Sequence, residues 1–356
     1  MIQHFIVTRI GIGIQNENWY SSILSLFEAI TFPCLRAQTS TNFQSLLVVD
    51  KNIPASAKSR LSTIINGHTN FHVVPIDLTA LWMVRQGCFD YVWDCCQDYL
   101  LAHRIITDPF EYIITSVLDA DDAWHRGTVA FVQERVLAEM PEFLASEAKR
   151  GTWIRHTAGM CLTFPDGLAW FAHPDVVVPF QFPFKSMSTF VAARFSSGIS
   201  ACSSRHKEWS SYCNVVNFKP VFCEPNKPMW TCVRHDRTTT PWDVGDNTSE
   251  PKCVEALHTD FGIDFDKVSH WRTSQDLRVA SPENNSLRSH AGMPATEQLD
   301  CYFRITALNR QITILEREAS ERGDPNSSAN LLLANQRLLR SALVRRFHEQ
   351  AKESFQ

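Results

Sequence analysis

The sequence predicts an α/β fold in which a mostly parallel sheet is flanked by helices. Short apolar segments such as residues 43–50 (FQSLLVVD) and 112–119 (YIITSVLD) are typical of strands buried on both faces. Segments with apolar residues at helical spacing, such as residues 19–30, lie between them. Strands that alternate with helices predict a parallel sheet, in which ligands bind beyond the carboxyl ends of the strands.

The elements follow one another regularly along the first part of the chain. Strands are predicted at residues 4–10, 43–50, 71–77 and 112–119. Helices are predicted at residues 19–32, 55–66, 91–106 and 128–140. In the first helix, Asn18 is the expected N-cap and Pro33 the expected end. Residues 152–172 then predict a β-hairpin that turns at Pro165-Asp166-Gly167.

The C-terminal part of the chain has a different composition. Residues 1–271 are predicted to form the α/β domain, and the polar, turn-rich residues 272–298 a linker or extended wrap. Residues 299–356 predict a helical hairpin, the C-terminal appendage. Its last helix has an apolar side flanked by arginines, so contact with a membrane surface, with a second copy or with the protein's own body all stay open.

Composition also limits the class of protein. A formal net charge of −4 disfavours a general nucleic-acid binder, which usually carries a strong basic excess. No segment reaches the roughly 18 apolar residues of a membrane span. The 11 cysteines are scattered and no export signal precedes them, so we expect reduced thiols in the cytoplasm. Zinc is a weaker alternative, because the cysteines and histidines of residues 202–235 include no C-x2-C pair.

Three carboxylates lie at the end of the strand predicted at residues 112–119. Asp119 is the last residue of that strand, and Asp121 and Asp122 follow it. They repel one another, and a divalent cation such as Mg²⁺ or Mn²⁺ would offset that repulsion. Alternatively, Asp122 caps the next helix while the other two are solvated. A third possibility is an aspartyl phosphatase of the haloacid dehalogenase type with Asp119 as nucleophile. In those phosphatases the motif lies on the first strand of the domain, whereas about 110 residues precede it in this chain.

Two further segments carry candidate functional residues. His235 follows a strand-like segment and could complete a metal shell, with Arg234 beside it to contact a phosphate. The alternative is a surface histidine in a polar loop. Glu208 begins a predicted helix and could remove a proton from a hydroxyl, with His206 as a competing base. A solvated Lys207-Glu208 pair is the ordinary alternative.

Residues 111–129 (EYIITSVLDADDAWHRGTV) resemble the family-2 pattern of GT-A glycosyltransferases, in which a strand ends in D-x-D-D before a helix. The opening MIQHFIVTR and residues 26–50 are more similar to a bacterial family of rhamnosyltransferases. This resemblance covers roughly residues 1–240. It implies a GT-A fold, with residues 1–125 as the nucleotide-binding half and 126–271 as the acceptor-side half.

The resemblance also implies roles for individual residues. The implied nucleotide-sugar ligands are Thr8, Arg9, Asp50, Asp119 and Arg234. Asp121 and His235 would bind Mn²⁺ or Mg²⁺, and Asp119 would approach the metal or the ribose. Glu208 lies where the family has a Glu-Asp base motif, although this chain has Lys-Glu-Trp there.

The prediction is therefore a cytoplasmic, metal-dependent glycosyltransferase, with peripheral contact at the inner membrane face left open. It would transfer a sugar, rhamnose by the family's label, from a nucleotide diphosphate donor to a glycan or lipid-linked glycan. The expected mechanism is inverting. The expected pathway is bacterial surface polysaccharide synthesis. The alternative is a noncatalytic glycan-binding or scaffold protein with the same fold.

Overall fold

The computed structural model describes residues 2–12, 14, 16–76, 90–106, 112–148, 158–172, 175–204, 209, 212–213, 218–235 and 254–274. The predicted hairpin at residues 299–356 and nearly all of the predicted linker lie outside these ranges. Within them, none of the helices combines the length and the apolar character that crossing a membrane requires.

The strands form two sheets. They are β1 (Gln3–Ile10), β2 (Phe43–Asp50), β3 (Phe71–Ile76), β4 (Tyr112–Val117), β5 (Ala123–Trp124), β6 (Gly159–Thr163), β7 (Asp166–Phe171), β8 (Val176–Gln181), β9 (Thr189–Arg194), β10 (Phe218–Phe222) and β11 (Trp230–Arg234). The seven-stranded sheet has the order β10-β6-β9-β4-β1-β2-β3, and the four-stranded sheet has the order β5-β11-β7-β8.

The larger sheet is parallel apart from β9. The pairs β1–β2, β2–β3, β1–β4 and β6–β10 are parallel, whereas β9 runs antiparallel to both β4 and β6. The chain builds outward from β1 to β3 on one side and then returns to place β4 on the other side of β1. Such a reversal of strand order opens a crevice at the carboxyl ends of the strands.

Helices cover both faces of this sheet, and the predicted fold class is confirmed. They are α1 (Glu17–Leu26), α2 (Phe32–Arg36), α3 (Ala55–Ile64), α4 (Asp90–Ala102), α5 (Thr128–Ala148), α6 (Glu255–Phe261) and α7 (Phe265–Ser274). Alternate residues of β1 point to opposite faces, so Ile6 packs in one apolar cluster with α1, α5 and α7. Phe5 and Val7 pack in a second cluster with α4.

The first helix differs from its prediction at both ends. Its N-cap is Asn16, not Asn18, and the Asn16 Oδ1 accepts a hydrogen bond from Trp19 N–H at 2.9 Å. Pro33 does not end it, because a π-helical turn, Phe27–Thr31, connects α1 directly to α2. Pro33 lies in the first turn of α2, where a missing N–H costs no helical hydrogen bond.

The prediction of a β-hairpin at residues 152–172 is wrong. β6 and β7 are consecutive strands, yet β6 pairs with β9 and β10 in the larger sheet. β7 instead pairs with β8 and β11 in the smaller sheet. Pro165 therefore lies where the chain changes sheet.

The last described element, α7, packs against the body of the domain. Val268 and Trp271 belong to the same apolar cluster as α1 and the four-stranded sheet. The helix continues to Ser274, so the predicted domain boundary at residue 271 falls inside it.

Candidate active site

The acidic turn, residues 118–122, lies at the carboxyl end of β4 and links the two sheets. β4 belongs to the seven-stranded sheet, whereas β5, which begins at Ala123, belongs to the four-stranded sheet. The Asp122 N–H closes the turn by donating to the Asp119 carbonyl oxygen at 3.2 Å. The three carboxylates therefore lie at the edge of the sheet where ligands bind in this fold class.

Asp122 is the buried member of the acidic turn. Its Oδ1 accepts a hydrogen bond from the Val233 N–H of β11 at 2.8 Å. Burial, followed by the charges of Asp121 and Asp119, raises the pKa of Asp122 well above its ordinary value. Asp122 thus fastens the turn to the smaller sheet, which is a different contact from the helix cap considered as an alternative.

A second anchor holds the turn from the other side. The Thr31 hydroxyl, in the π-helical turn, lies 3.2 Å from the Asp119 carbonyl oxygen and 2.9 Å from that of Asp122. Thr31 is fully buried, and the one hydrogen of its hydroxyl is shared between these two carbonyl groups. π-Helical turns inside α-helices occur frequently at functional sites, and this one supports the acidic turn.

Asp121 and His235 are brought together from positions 114 residues apart in the sequence. His235 directly follows β11, and its Nε2 lies 2.8 Å from the Asp121 Oδ2. The His235 side chain is 1% exposed and that of Asp121 is 20% exposed. The pair therefore has a buried imidazole and a carboxylate that solvent or a ligand can reach.

Arg9 and Asp119 form the neighbouring ion pair. In the register of β1 against β4, Val7 is opposite Val117, which places Arg9 level with Asp119. The Arg9 Nη2 lies 3.1 Å from the Asp119 Oδ1. Burial disfavours the charged guanidinium, but the charge of Asp119, the hydrogen bond that Asp119 accepts from Arg9 and the nearby Cys202 together outweigh burial and raise the pKa of Arg9. Ser186 Oγ lies 3.5 Å from the other carboxylate oxygen, a weak contact.

The remaining predicted ligands lie around this edge. Thr8 is fully buried on β1, and its hydroxyl makes no hydrogen bond within the part of the chain that the structure describes. Asp50 ends β2 and accepts a hydrogen bond from the Asn52 N–H at 2.8 Å. Arg234 is the last residue of β11, next to His235, and its carbonyl oxygen accepts from the Ala172 N–H at 2.8 Å.

Glu208, the predicted general base, lies outside the described residues, as does His206. The sequence reasoning missed three residues that the structure adds to this region: Thr31, Ser186 and Trp271. None belongs to a short motif. Thr31 and Ser186 reach the acidic turn only through the fold, and Trp271 packs against His235.

The Asp121–His235 pair suits a small divalent cation. The 2.8 Å between its two ligand atoms is close to the roughly 3 Å between neighbouring ligands of an octahedral ion whose ligands lie about 2.1 Å away. Among the described residues, no group of three or more histidine, cysteine, aspartate or glutamate side chains surrounds a common point. Two protein ligands are enough for Mg²⁺, which usually completes its shell with waters and substrate phosphates.

Comparison with known protein families gives the class of the protein. A family model described as "Putative rhamnosyl transferase" matches residues 14–243, more than half of the chain. The chain is therefore a glycosyltransferase by class. It belongs to this rhamnosyl transferase family.

Solved structures give remote likenesses. A "putative nucleotide-diphospho-sugar transferase" from Desulfovibrio desulfuricans G20 is 9% identical with a TM-score of 0.32, covering 81% of this chain and 97% of that one. S. aureus TarS 1-349 in complex with UDP is 10% identical with a TM-score of 0.33, covering 99% of this chain and 92% of that one. No curated protein matches the chain.

Proposed function

We propose that this chain is a metal-dependent glycosyltransferase that takes a sugar from a nucleotide diphosphate donor. The observation that carries the proposal is the contact of Asp121 with His235 at 2.8 Å, at the ligand-binding edge of the sheet. Family membership gives the class of reaction. The pair would supply a site where a cation and a diphosphate bind together.

The crevice beside β1 offers groups for the donor. The Thr8 hydroxyl is buried and has no hydrogen-bond partner among the described residues. It would accept a hydrogen bond from the nucleotide or donate one to it. Arg9 would contact phosphate or ribose oxygens while it holds Asp119. Asp50 and Arg234, at the ends of β2 and β11, would complete the nucleotide-sugar pocket.

Asp121 and His235 would hold Mn²⁺ or Mg²⁺, with Asp119 as a further ligand or as a partner of the ribose. When bound, the cation would neutralise negative charge on the diphosphate leaving group. The 1% exposure of the His235 side chain keeps the imidazole within protein, where electrostatic interactions are stronger than in water.

The proposed transfer is an inverting displacement. Glu208 would accept the proton of an acceptor hydroxyl while that oxygen forms a bond to the anomeric carbon of the sugar. The bond from the anomeric carbon to the diphosphate would break at the same time, and the diphosphate would leave with the electron pair. The base assignment rests on sequence resemblance and on the chemistry that a carboxylate provides.

The family's description as a rhamnosyl transferase supports rhamnose as the sugar. We propose bacterial surface polysaccharide synthesis as the setting. A glycan or a lipid-linked glycan would then be the acceptor. A cytoplasmic location, with peripheral contact at the inner membrane face, suits an enzyme that draws on soluble nucleotide sugars.

The test is thermal unfolding with a panel of nucleotide diphosphate sugars, with and without Mn²⁺, on wild type and Asp121→Ala. A donor at a hundred times its dissociation constant stabilises the native state by about 2.7 kcal/mol. We expect a Mn²⁺-dependent rise in melting temperature for one donor in wild type and none in Asp121→Ala. Release of nucleoside diphosphate should fall about a hundredfold or more in the variant.

Asp98→Ala is the matched control, because Asp98 is an exposed carboxylate on α4, a helix that packs in a different apolar cluster from Leu118 and Ala120 of the acidic turn. It should behave as wild type. Full activity of Asp121→Ala would contradict the proposal. Metal-independent glycan binding without turnover of any donor would favour the noncatalytic alternative.

A further inference from the structure

Trp271 of α7 packs directly against His235. The two ring centroids are 5.6 Å apart and the ring planes meet at 78°, an edge-to-face arrangement. Trp271 is 1% exposed, so this contact is buried together with the imidazole. The imidazole is thus held by two different contacts, Asp121 at Nε2 and the indole against its ring.

The Trp271 indole has a fixed position of its own. Its Nε1 donates a hydrogen bond to the Ser22 Oγ of α1 at 3.2 Å, and both residues are buried. Ser22 and Trp271 are separated by 249 positions in the sequence. Helix α7 is therefore joined to α1 through the residue that contacts His235.

A clamp at the end of α7 holds the helix in this position. Arg272 forms a two-point ion pair with Asp175, with Nη–Oδ distances of 2.7 and 3.1 Å. The Trp170 Nε1 also donates to the Asp175 Oδ1 at 2.9 Å, and Arg272 lies over the Trp170 ring. Asp175 has a φ of +70°, a left-handed conformation that persists only where surrounding contacts impose it.

We propose that Trp271 is a positioning residue that sets the plane of the His235 imidazole toward Asp121. This inference rests on the proposed function and assigns to α7 a part in that site. The indole packed against the imidazole restricts how far that ring can turn about its side-chain torsions. Hydrogen-bond partners that orient a metal-binding imidazole typically change metal affinity by about tenfold or more when replaced, and we expect a packing contact that orients the same ring to act at the lower end of that range.

The experiment measures the affinity for Mn²⁺ alone, by the electron paramagnetic resonance signal of the free ion, in wild type, Trp271→Leu and Trp271→Phe. Trp93→Leu is the matched control, because Trp93 is also fully buried but packs with Phe5 and Phe195 in the opposite cluster. Urea unfolding of each variant reports its loss of stability separately from its metal affinity.

We expect Trp271→Leu to weaken Mn²⁺ binding about tenfold, Trp271→Phe to restore part of the loss, and Trp93→Leu to bind within about twofold of wild type. Equal Mn²⁺ affinity in wild type and Trp271→Leu would overturn the inference and leave the proposed function intact. An equal loss of Mn²⁺ affinity in the Trp271 and Trp93 variants would also overturn the inference, because it would indicate that Trp271 has a merely structural role.

Ser22→Ala covers the case in which Trp271→Leu does not fold. This variant removes only the hydroxyl that anchors the indole, and it should weaken Mn²⁺ binding severalfold. Unchanged binding in both Ser22→Ala and Trp271→Phe would again overturn the inference. Failure of wild type itself to bind Mn²⁺ would instead remove the metal site of the proposed function, and the role of Trp271 with it.

Discussion

Asp119, Asp121 and Asp122 are neighbours in the sequence, but each has a different partner. Arg9 holds Asp119, His235 holds Asp121, and the Val233 N–H donates to Asp122. Because Asp122 is buried beside two other carboxylates, its pKa is raised well above the ordinary value, and a neutral side chain suits the position. The hydrogen bond from the Val233 N–H gives Asp122 the role of fixing the turn to the smaller sheet.

Replacing Asp122 tests that role. Asp122→Asn keeps an oxygen that can accept from the Val233 N–H without a charge, so we expect little loss of stability. Asp122→Ala leaves that buried N–H without an acceptor and should cost about 1–3 kcal/mol. Urea unfolding at neutral pH measures both variants. If Asp122→Asn lowered the free energy of unfolding as much as Asp122→Ala does, the ionised carboxylate would be required at this position.

At the scale of elements, the π-helical turn at Phe27–Thr31 is the joint between the first helix and the acidic turn. It places the Thr31 hydroxyl within hydrogen-bonding distance of two carbonyl groups of that turn. A regular helix of the same length would rotate Thr31 away from this direction. The irregularity of the helix and the position of the aspartates are therefore parts of one arrangement.

Thr31→Val is nearly isosteric and removes the hydroxyl. We expect it to lower the free energy of unfolding by about 1–3 kcal/mol, because the carbonyl groups lose a buried donor. The Mn²⁺-dependent donor shift in melting temperature should also shrink. Thr31→Ser keeps the hydroxyl and should recover most of both losses. If the valine variant were as stable as wild type, the hydroxyl would not be an anchor of the turn.

The sequence predicted the buried strands well and the joints between elements poorly. β2 was predicted with its observed limits, because a run of apolar residues that ends at a polar one is a strong local signal. The π-helical turn and the change of sheet at Pro165 have no such signal. Both depend on packing against residues far along the chain, which local patterns do not contain.

The residues of the candidate site also differ in how well the sequence predicted them. The carboxylates of the acidic turn were found from their position after a strand, and His235 from its position after another. Both the position of His235 and the family resemblance suggested that it shares a metal with these carboxylates. The contact itself, between Asp121 and a residue 114 positions away, is visible only in the structure. Thr31, Ser186 and Trp271 carry no motif, and their part in the site is visible only in three dimensions.

At the scale of the whole molecule, the seven-stranded sheet is buried on both faces and contains an ionisable group at its centre. His4 of β1 is fully buried and packs near Trp124 and Phe190. Its Nε2 lies 2.9 Å from the Ser116 Oγ. Burial lowers the pKa of His4 from 6.5 to about 3, so the folded protein keeps this imidazole neutral.

This pKa predicts how global stability depends on pH. Below pH 6.5 the unfolded chain takes up a proton at His4, but the folded protein does not until about pH 3. Acidification therefore favours the unfolded chain, by about 1.4 kcal/mol per pH unit within this window. His4→Gln, which cannot take up the proton, should show a correspondingly flatter decline. Urea unfolding between pH 4 and pH 7.5 compares the two, and parallel curves would contradict the prediction.

The acidic turn also has a consequence for the engineering of this chain. β4 and β5 are fixed in different sheets, and residues 118–122 are the only covalent path between these two strands. The turn is thus a spacer of set length as well as a carrier of carboxylates. An insertion or a deletion within it would strain both sheets at once. Variants of this turn should therefore change the identity of its residues and leave their number alone.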